Sequence, residues 1–158
     1  MMVNVVVDGL TVVFSLVFNV VMILVFVFRG QGRTRLEERL GPVTNLLLIP
    51  FSALWLFNLL SNSDVGRLIT SFPVMIFLGY DLWDRTVAQK KPKRHPENWP
   101  VELYIYLLLY LIGGIVLNGY AFLAALPYGI AVLSSYYGSL IAYGYYQRKH
   151  NRLRAEMR

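Results

Sequence analysis

The chain has 158 residues, of which 56% are hydrophobic and 15% charged, against about 45–50% and about a quarter in ordinary soluble domains. A globule of this size would leave large apolar patches in water, and a disordered chain is poor in apolar residues and rich in charge, so the composition excludes both. With no cysteine and a net charge of +6, the chain has no disulfides, Cys-ligated metals or Cys nucleophiles, and its surplus of cations calls for an anionic neighbour.

A helix crossing about 30 Å of hydrocarbon at about 1.5 Å per residue needs about 20 predominantly apolar residues, and five stretches meet or approach that length. The first, 3–28, is interrupted by Asp8, Ser15, Asn19 and a few other polar or small residues, and stops at Arg29. After it, 34–40 sets Leu36 and Leu40 four apart, which predicts a short amphipathic helix lying on the membrane surface. The second stretch, 43–60, begins after Gly41 and Pro42 and ends in the turn-forming residues 61–64. The third, 65–83, runs into Asp84 and Arg85. The loop 85–100 holds three of the seven prolines and five basic residues, so extended and turn conformations are expected there. From 103 to 146 there is no charged side chain over 44 residues, about twice a single crossing, so the chain must fold back. Asn118, Gly119 and Pro127 bracket the reversal and give a fourth span of 101–119 and a fifth of 122–146. The basic tail 147–158 is expected to continue the last helix into water.

Runs such as 20–28 and 103–112 do not alternate apolar with polar residues, as the strands of a transmembrane barrel would. Helices satisfy every backbone N–H and C=O within their own segment, as lipid requires. The predicted fold class is therefore all-α: one integral-membrane domain over 1–158, a polytopic transmembrane helical bundle with five membrane-spanning helices.

Five crossings place 14 of the 15 basic residues on one side of the membrane, with only Arg67 on the other beside Asp8 and Asp64. Lys and Arg in short loops favour the cytoplasm, so the amino terminus is predicted outside and the carboxyl terminus inside. Trp83 and Trp99 flank the 85–100 loop as interfacial anchors. The juxtamembrane cations Arg85, Lys90, Lys91, Lys93 and Arg94 suit anionic lipid headgroups. Nucleic acid is not an expected partner, because these cations carry no stacking motif or recognition fold. Helix 1 lacks a positive n-region and is too long for an h-region, so it is expected to remain in the chain. The localisation that follows is a multi-pass integral-membrane protein, of the plasma (cytoplasmic) membrane if prokaryotic.

Sites for chemistry are sparse. The two histidines, His95 and His150, fall in the loop and the tail, so no haem and no other cofactor is expected within this chain. The sharpest catalytic and metal candidates are Asp81 and Asp84, three apart at the cytoplasmic end of helix 3. Both carboxylates can share one face and hold Mg²⁺ against a phosphate, with Lys90, Lys91, Lys93, Arg94 and His95 in the next loop to clamp the anion. The plainer reading pairs them with Arg85 or nearby lysines. The serines have no membrane-depth histidine to activate them.

The remaining signals concern helix packing. Asn19 is the polar residue deepest in a span and suits an interhelical hydrogen bond. Ser134, Gly138 and Ala142 form a small-residue stripe on helix 5, and Gly113 and Gly114 offer a facing surface on helix 4. Pro50 and Pro73, near the middles of helices 2 and 3, each remove a backbone hydrogen bond and predict a bend. Tyr104, Tyr120, Tyr128, Tyr145 and Tyr146 fall near borders where a hydroxyl meets water. Tyr106, Tyr110, Tyr136, Tyr137 and Tyr143 lie deeper and need partners for theirs.

The function these features predict is a non-catalytic integral-membrane subunit or accessory protein, packed against other subunits or against itself within a larger membrane complex. One alternative is a small enzyme acting on a phosphate-bearing lipid through Asp81, Asp84 and Mg²⁺; a second is a homo-oligomeric carrier or channel built around Asn19 and the two prolines.

Overall fold

In a computed structural model, residues 2–61, 65–86 and 101–156 are described, and they form six α-helices and no strand: α1 Met2–Gly30, α2 Thr34–Leu46, α3 Leu48–Leu60, α4 Val65–Thr86, α5 Val101–Ala124 and α6 Leu126–Glu156. The loop 87–100, with Lys90, Lys91, Lys93, Arg94, His95 and Trp99, lies outside the described residues. So does the side chain of Arg85.

The punctuation of the chain follows from local chemistry. α1 ends where Gly32 takes a left-handed φ of 71°; the Arg33 N–H bonds the Phe28 carbonyl at 2.9 Å and the Gly32 N–H bonds that of Arg29 at 3.1 Å. This paired closure needs a residue without a Cβ at its left-handed position. Pro50 removes a backbone donor and its ring crowds the carbonyl four residues earlier, that of Leu46. There α2 stops; Leu47 N–H reaches Thr44 instead, at 3.1 Å, and α3 begins at Leu48. The second apolar stretch is thus two helices meeting at Leu47, and the helix expected over 34–40 runs on through Gly41 and Pro42 to that joint. α4, by contrast, continues through Pro73.

Asn118 and Gly119, expected at a chain reversal, lie inside α5. The turn consists of Ala125 alone, between two hydrogen-bonded helix ends, and Pro127 occupies the first turn of α6, where its missing N–H costs nothing. Downstream the tail continues α6 to Glu156.

Neighbouring contacts fix the helix directions. Asn19 meets Ser135 and Gly138 meets Ile23, so α1 and α6 run parallel. Asp8 meets Arg67 and Phe18 meets Phe77, so α4 runs the same way. Phe14 meets Phe51 while Asp8 and Asn58 share Tyr120, and Gly114 meets Tyr136 while Tyr110 meets Ser139, so α3 and α5 run antiparallel to these. One end of the bundle therefore gathers the start of α1, the end of α3, the start of α4 and the α5–α6 turn; Arg29, Arg33, Arg35, Arg39 and Arg148 gather at the other.

The core is aromatic. Tyr110 of α5, 2% exposed, is its hub: its ring lies 6.2 Å from Phe18, 5.9 Å from Phe26, 5.7 Å from Phe77 and 6.3 Å from Tyr136, the tilted and edge-on arrangements that aromatic quadrupoles favour. Around this core the bundle exposes aliphatic side chains on every helix, among them Val13, Val17, Leu46, Ile49, Leu60, Ile69, Leu108 and Ile115. Water would penalise such a surface and lipid would not. Among the described residues four stretches are long and apolar enough to cross a membrane: Val5–Gly30, Arg39–Leu60 through the α2–α3 joint, Val65–Asp84 and Tyr104–Ala124. α6 is longer than any of them but less apolar, because tyrosines and serines are distributed along it.

Candidate functional site

Buried polar groups in a bundle of this composition are costly unless paired, so they mark where specific structure is held. The largest group lies at the end where α1 begins. Asp8, one to two turns into α1, accepts from Arg67 Nη2 on its Oδ2 at 2.8 Å and from the Tyr120 hydroxyl on its Oδ1 at 3.0 Å. Asn58 Nδ2 in turn approaches the Tyr120 oxygen at 3.5 Å. The Asp8 and Arg67 side chains are 10% and 20% exposed; Asn58 and Tyr120 are buried. α1, α3, α4 and α5 are thereby tied together by one clasp, in which both carboxylate oxygens are occupied. Such a group positions helices, with each carboxylate oxygen engaged inside the bundle.

Sequence reading placed Asp8 and Arg67 on the same side but 59 residues apart, and assigned Tyr120 to a water-facing border. Instead Tyr120 is 1% exposed and its hydroxyl is held by Asp8; Tyr146, given the same border role, is buried beside Arg29, whose guanidinium lies 5.7 Å from its ring centre. Opposite charges at matching depth were the available signal for the clasp.

A second polar seam lies at mid-height. Asn19 Nδ2 donates to Ser135 Oγ at 2.9 Å and approaches the Val132 carbonyl at 3.4 Å, joining α1 to α6. Its Oδ1 is buried without a partner among the described residues. Tyr110 and Ser139 share a hydrogen bond of 2.5 Å, and the Tyr136 hydroxyl donates to the Leu111 carbonyl at 3.2 Å, joining α5 to α6. Gln147 donates to the Tyr143 hydroxyl at 2.6 Å, and Tyr106 packs its ring 5.0 Å from that of Phe77.

The small residues are divided among several helix pairs. A Cβ on Gly114 would stand 2.1 Å from the Tyr136 ring, so this glycine lets α6 close on α5. Gly113 instead faces Val74 of α4, with a Cβ distance of 3.3 Å, and Gly138 faces Ile23 of α1 at 3.2 Å. The Ser134, Gly138 and Ala142 stripe is thus not one surface against helix 4: Gly138 packs on α1, Ala142 is buried, and Ser134 is exposed, its hydroxyl returned to the Ile130 carbonyl at 2.8 Å.

Asp81 and Asp84 sit near the basic end of α4, 5% and 9% exposed, and each already interacts with a neighbour. Burial on this scale leaves little room for a hydrated cation and a phosphate together. Among the described residues no group of three or more His, Asp or Glu is placed to hold a metal ion. A shallow open depression of about 370 Å³ is bordered by Gly32, Arg33, Arg35 and Leu36 at the α1–α2 turn.

The feature that sequence reading missed is the outward face of α6. Ile130, Ser134, Tyr137, Ile141, Tyr145 and Arg148 are all exposed, and their spacing of four, three, four, four and three residues makes one straight stripe along the helix. Tyr137 is 56% exposed. No hydrogen bond joins its hydroxyl to a described residue, although its ring lies 6.4 Å from that of Tyr136. No protein-family model matches the chain, and neither the curated proteins nor the solved structures include one significantly similar to it.

Proposed function

We propose that the chain is a non-catalytic integral-membrane subunit that packs within a larger membrane protein complex. On this reading it crosses the membrane five times, α2 and α3 together making one crossing, with the start of α1 outside and the end of α6 in the cytoplasm. Alternating helix directions and the gathering of arginines at one end support that topology.

The observation that carries the functional reading is Tyr137. Asn19 bonds Ser135 and Ile23 meets Gly138, so Tyr137 stands level with 19–23, about two turns inside the Val5–Gly30 stretch. Side chains on a helix lean toward its N-terminus, which carries this hydroxyl deeper into the hydrocarbon and away from the cytoplasmic interface. Lipid tails offer no hydrogen bond, and an unpaired hydroxyl costs roughly 1–3 kcal/mol. A neighbouring polypeptide over α6 removes that cost. The burial of Asp81 and Asp84 and the placement of Asn19 within the α1–α6 contact favour neither the enzyme nor the carrier.

Native mass spectrometry of the protein extracted gently from its own membrane tests the proposal. A stoichiometric complex with another polypeptide is the expected result; a lone chain carrying only lipid would overturn it.

A further inference from the structure

Resting on that reading, we infer that the α6 stripe receives a transmembrane helix of a different polypeptide, one that offers a hydrogen-bond acceptor at the level of Tyr137 and an acidic side chain just beyond its cytoplasmic end. Three features of the face define this partner. Near its outer end Ala131 and Ser134 are small and exposed, which allows a helix backbone to approach closely. One turn further, Tyr137 presents a hydroxyl with no described partner, and a carbonyl, amide or hydroxyl oxygen opposite it satisfies the group. Beyond Ile141 and Tyr145, exposed by 73% and 48%, the stripe ends in Arg148, which is exposed on the same line.

Arg148 argues against a second copy docked with the two α6 helices side by side. Copies of one chain in one membrane share an orientation, so a two-fold axis relating them runs along the membrane normal. That symmetry sets α6 parallel to α6 and brings Arg148 against Arg148, with Lys149 following on each chain. Like charges at the same level repel. A carboxylate on a foreign helix does the opposite, and in the partly desolvated headgroup region the attraction is screened less than in bulk water. The aliphatic outward face of α1, with Val13, Val17 and Val20 exposed, has neither a donor nor a terminal charge of this kind and serves as the internal control.

The test uses the full chain in its native membrane with a photoreactive p-benzoylphenylalanine placed singly at Tyr137, Ile141 or Tyr145, and at Val17 as control. We expect the three α6 positions to give adducts with one common foreign polypeptide, mapped to a membrane span with an Asp or Glu just past its cytoplasmic end, at least tenfold above Val17. Arg148→Glu should lower the yield at least tenfold, and reversing the mapped acidic residue to Lys should restore it; Arg148→Gln, which keeps Lys149 and Arg152 for orientation, should lower it by a smaller factor. Adducts to a second copy, lipid adducts alone, or yields unmoved by both Arg148 changes would overturn the inference. If a stoichiometric foreign complex persisted in native mass spectra while α6 gave none of these adducts, the α6 interface would fall and the subunit reading would stand.

Discussion

Helices α1 and α6 lie side by side, point the same way and are 29 and 31 residues long, yet they sort their polar residues differently. α1 turns Asp8, Thr11, Ser15 and Asn19 inward, all at most 7% exposed, and shows Val5, Val6, Leu10, Val13, Val17, Val20 and Leu24 to the outside. Its hydroxyls are returned to its own backbone, Thr11 to Val7 at 2.9 Å and Ser15 to Thr11 at 2.7 Å. α6 places Ser135, Tyr136 and Ser139 toward its neighbours but leaves Ser134, Tyr137 and Tyr145 exposed. Lipid alone selects the first pattern, because nothing on that side competes for a hydrogen bond. The second leaves polar and aromatic side chains on an outward face, the face over which the partner is proposed.

The inward half of the comparison is broken most severely at the clasp. Asp8→Ala leaves Arg67 charged, largely buried and without its carboxylate, and the loss from removing one member of such a pair is about 3–5 kcal/mol. Because Arg67 keeps some exposure, the lower end is expected, as a drop in the unfolding midpoint on titration with SDS in mild micelles. Replacing both residues together, Asp8→Leu with Arg67→Leu, should recover most of that loss. A double variant no more stable than Asp8→Ala would show that the ion pair itself, and not the stranded charge, holds the four helices.

Next in size is the α5–α6 contact. Gly114→Ala drives a methyl group into the Tyr136 ring, and overpacking of this kind costs about 1–3 kcal/mol. The same change in a Tyr136→Leu background should cost much less, since the ring that obstructs the methyl is gone. Equal losses in both backgrounds, read by the same titration, would mean that the close approach does not depend on this pair.

How far these sites were legible in the sequence depends on the kind of signal each one leaves. Long uncharged runs fix helices by themselves, because backbone groups in such runs have nowhere else to bond, and the boundaries at Gly30 and at Ser61 follow from turn formers in the same short window. The split of the second stretch is local too: Pro50 acts on a carbonyl four residues away, although a bend and a full stop at Leu46 cannot be told apart from the proline alone. Asn118 and Gly119 mislead because a turn-forming pair inside an apolar run costs little when a neighbouring helix covers it, and Gly119 has Thr70 of α4 at 3.7 Å from where its Cβ would be. The Asp8, Arg67, Tyr120 and Asn58 clasp joins residues up to 112 apart, and nothing local to any of them names the others. Helix 5's small-residue stripe was visible, but which helix each residue meets depends on rotations about the helix axis that spacing does not fix.

Asn19 gives a smaller effect. Its bond to Ser135 crosses between α1 and α6, and such bonds average about 0.6 kcal/mol in membrane bundles, with about 1.7 at most. Asn19→Leu also removes a buried Oδ1 with no described partner, which offsets part of the loss. The expected net change is below about 1 kcal/mol, whereas Asn19→Asp, which buries a charge, should be far worse. If Asn19→Leu cost as much as Asp8→Ala, the α1–α6 contact would depend on that bond more than on Gly138 against Ile23.

The smallest change separates the two faces of α6 most cleanly, because Tyr136 and Tyr137 are adjacent and differ in what their hydroxyls meet. Tyr136→Phe loses the bond to the Leu111 carbonyl and should lower the stability of the isolated chain by about 0.6 kcal/mol. Tyr137→Phe removes a hydroxyl that bonds none of the described residues, so the isolated chain in micelles should unfold at an unchanged midpoint. In the native membrane the order should reverse, with Tyr137→Phe reducing the fraction of chain recovered in complex and Tyr136→Phe leaving it nearly intact. A Tyr137→Phe chain that assembles as well as the parent would mean that the exposed hydroxyl meets a lipid headgroup or water instead of a protein acceptor, and α6 would then face outward on the same terms as α1.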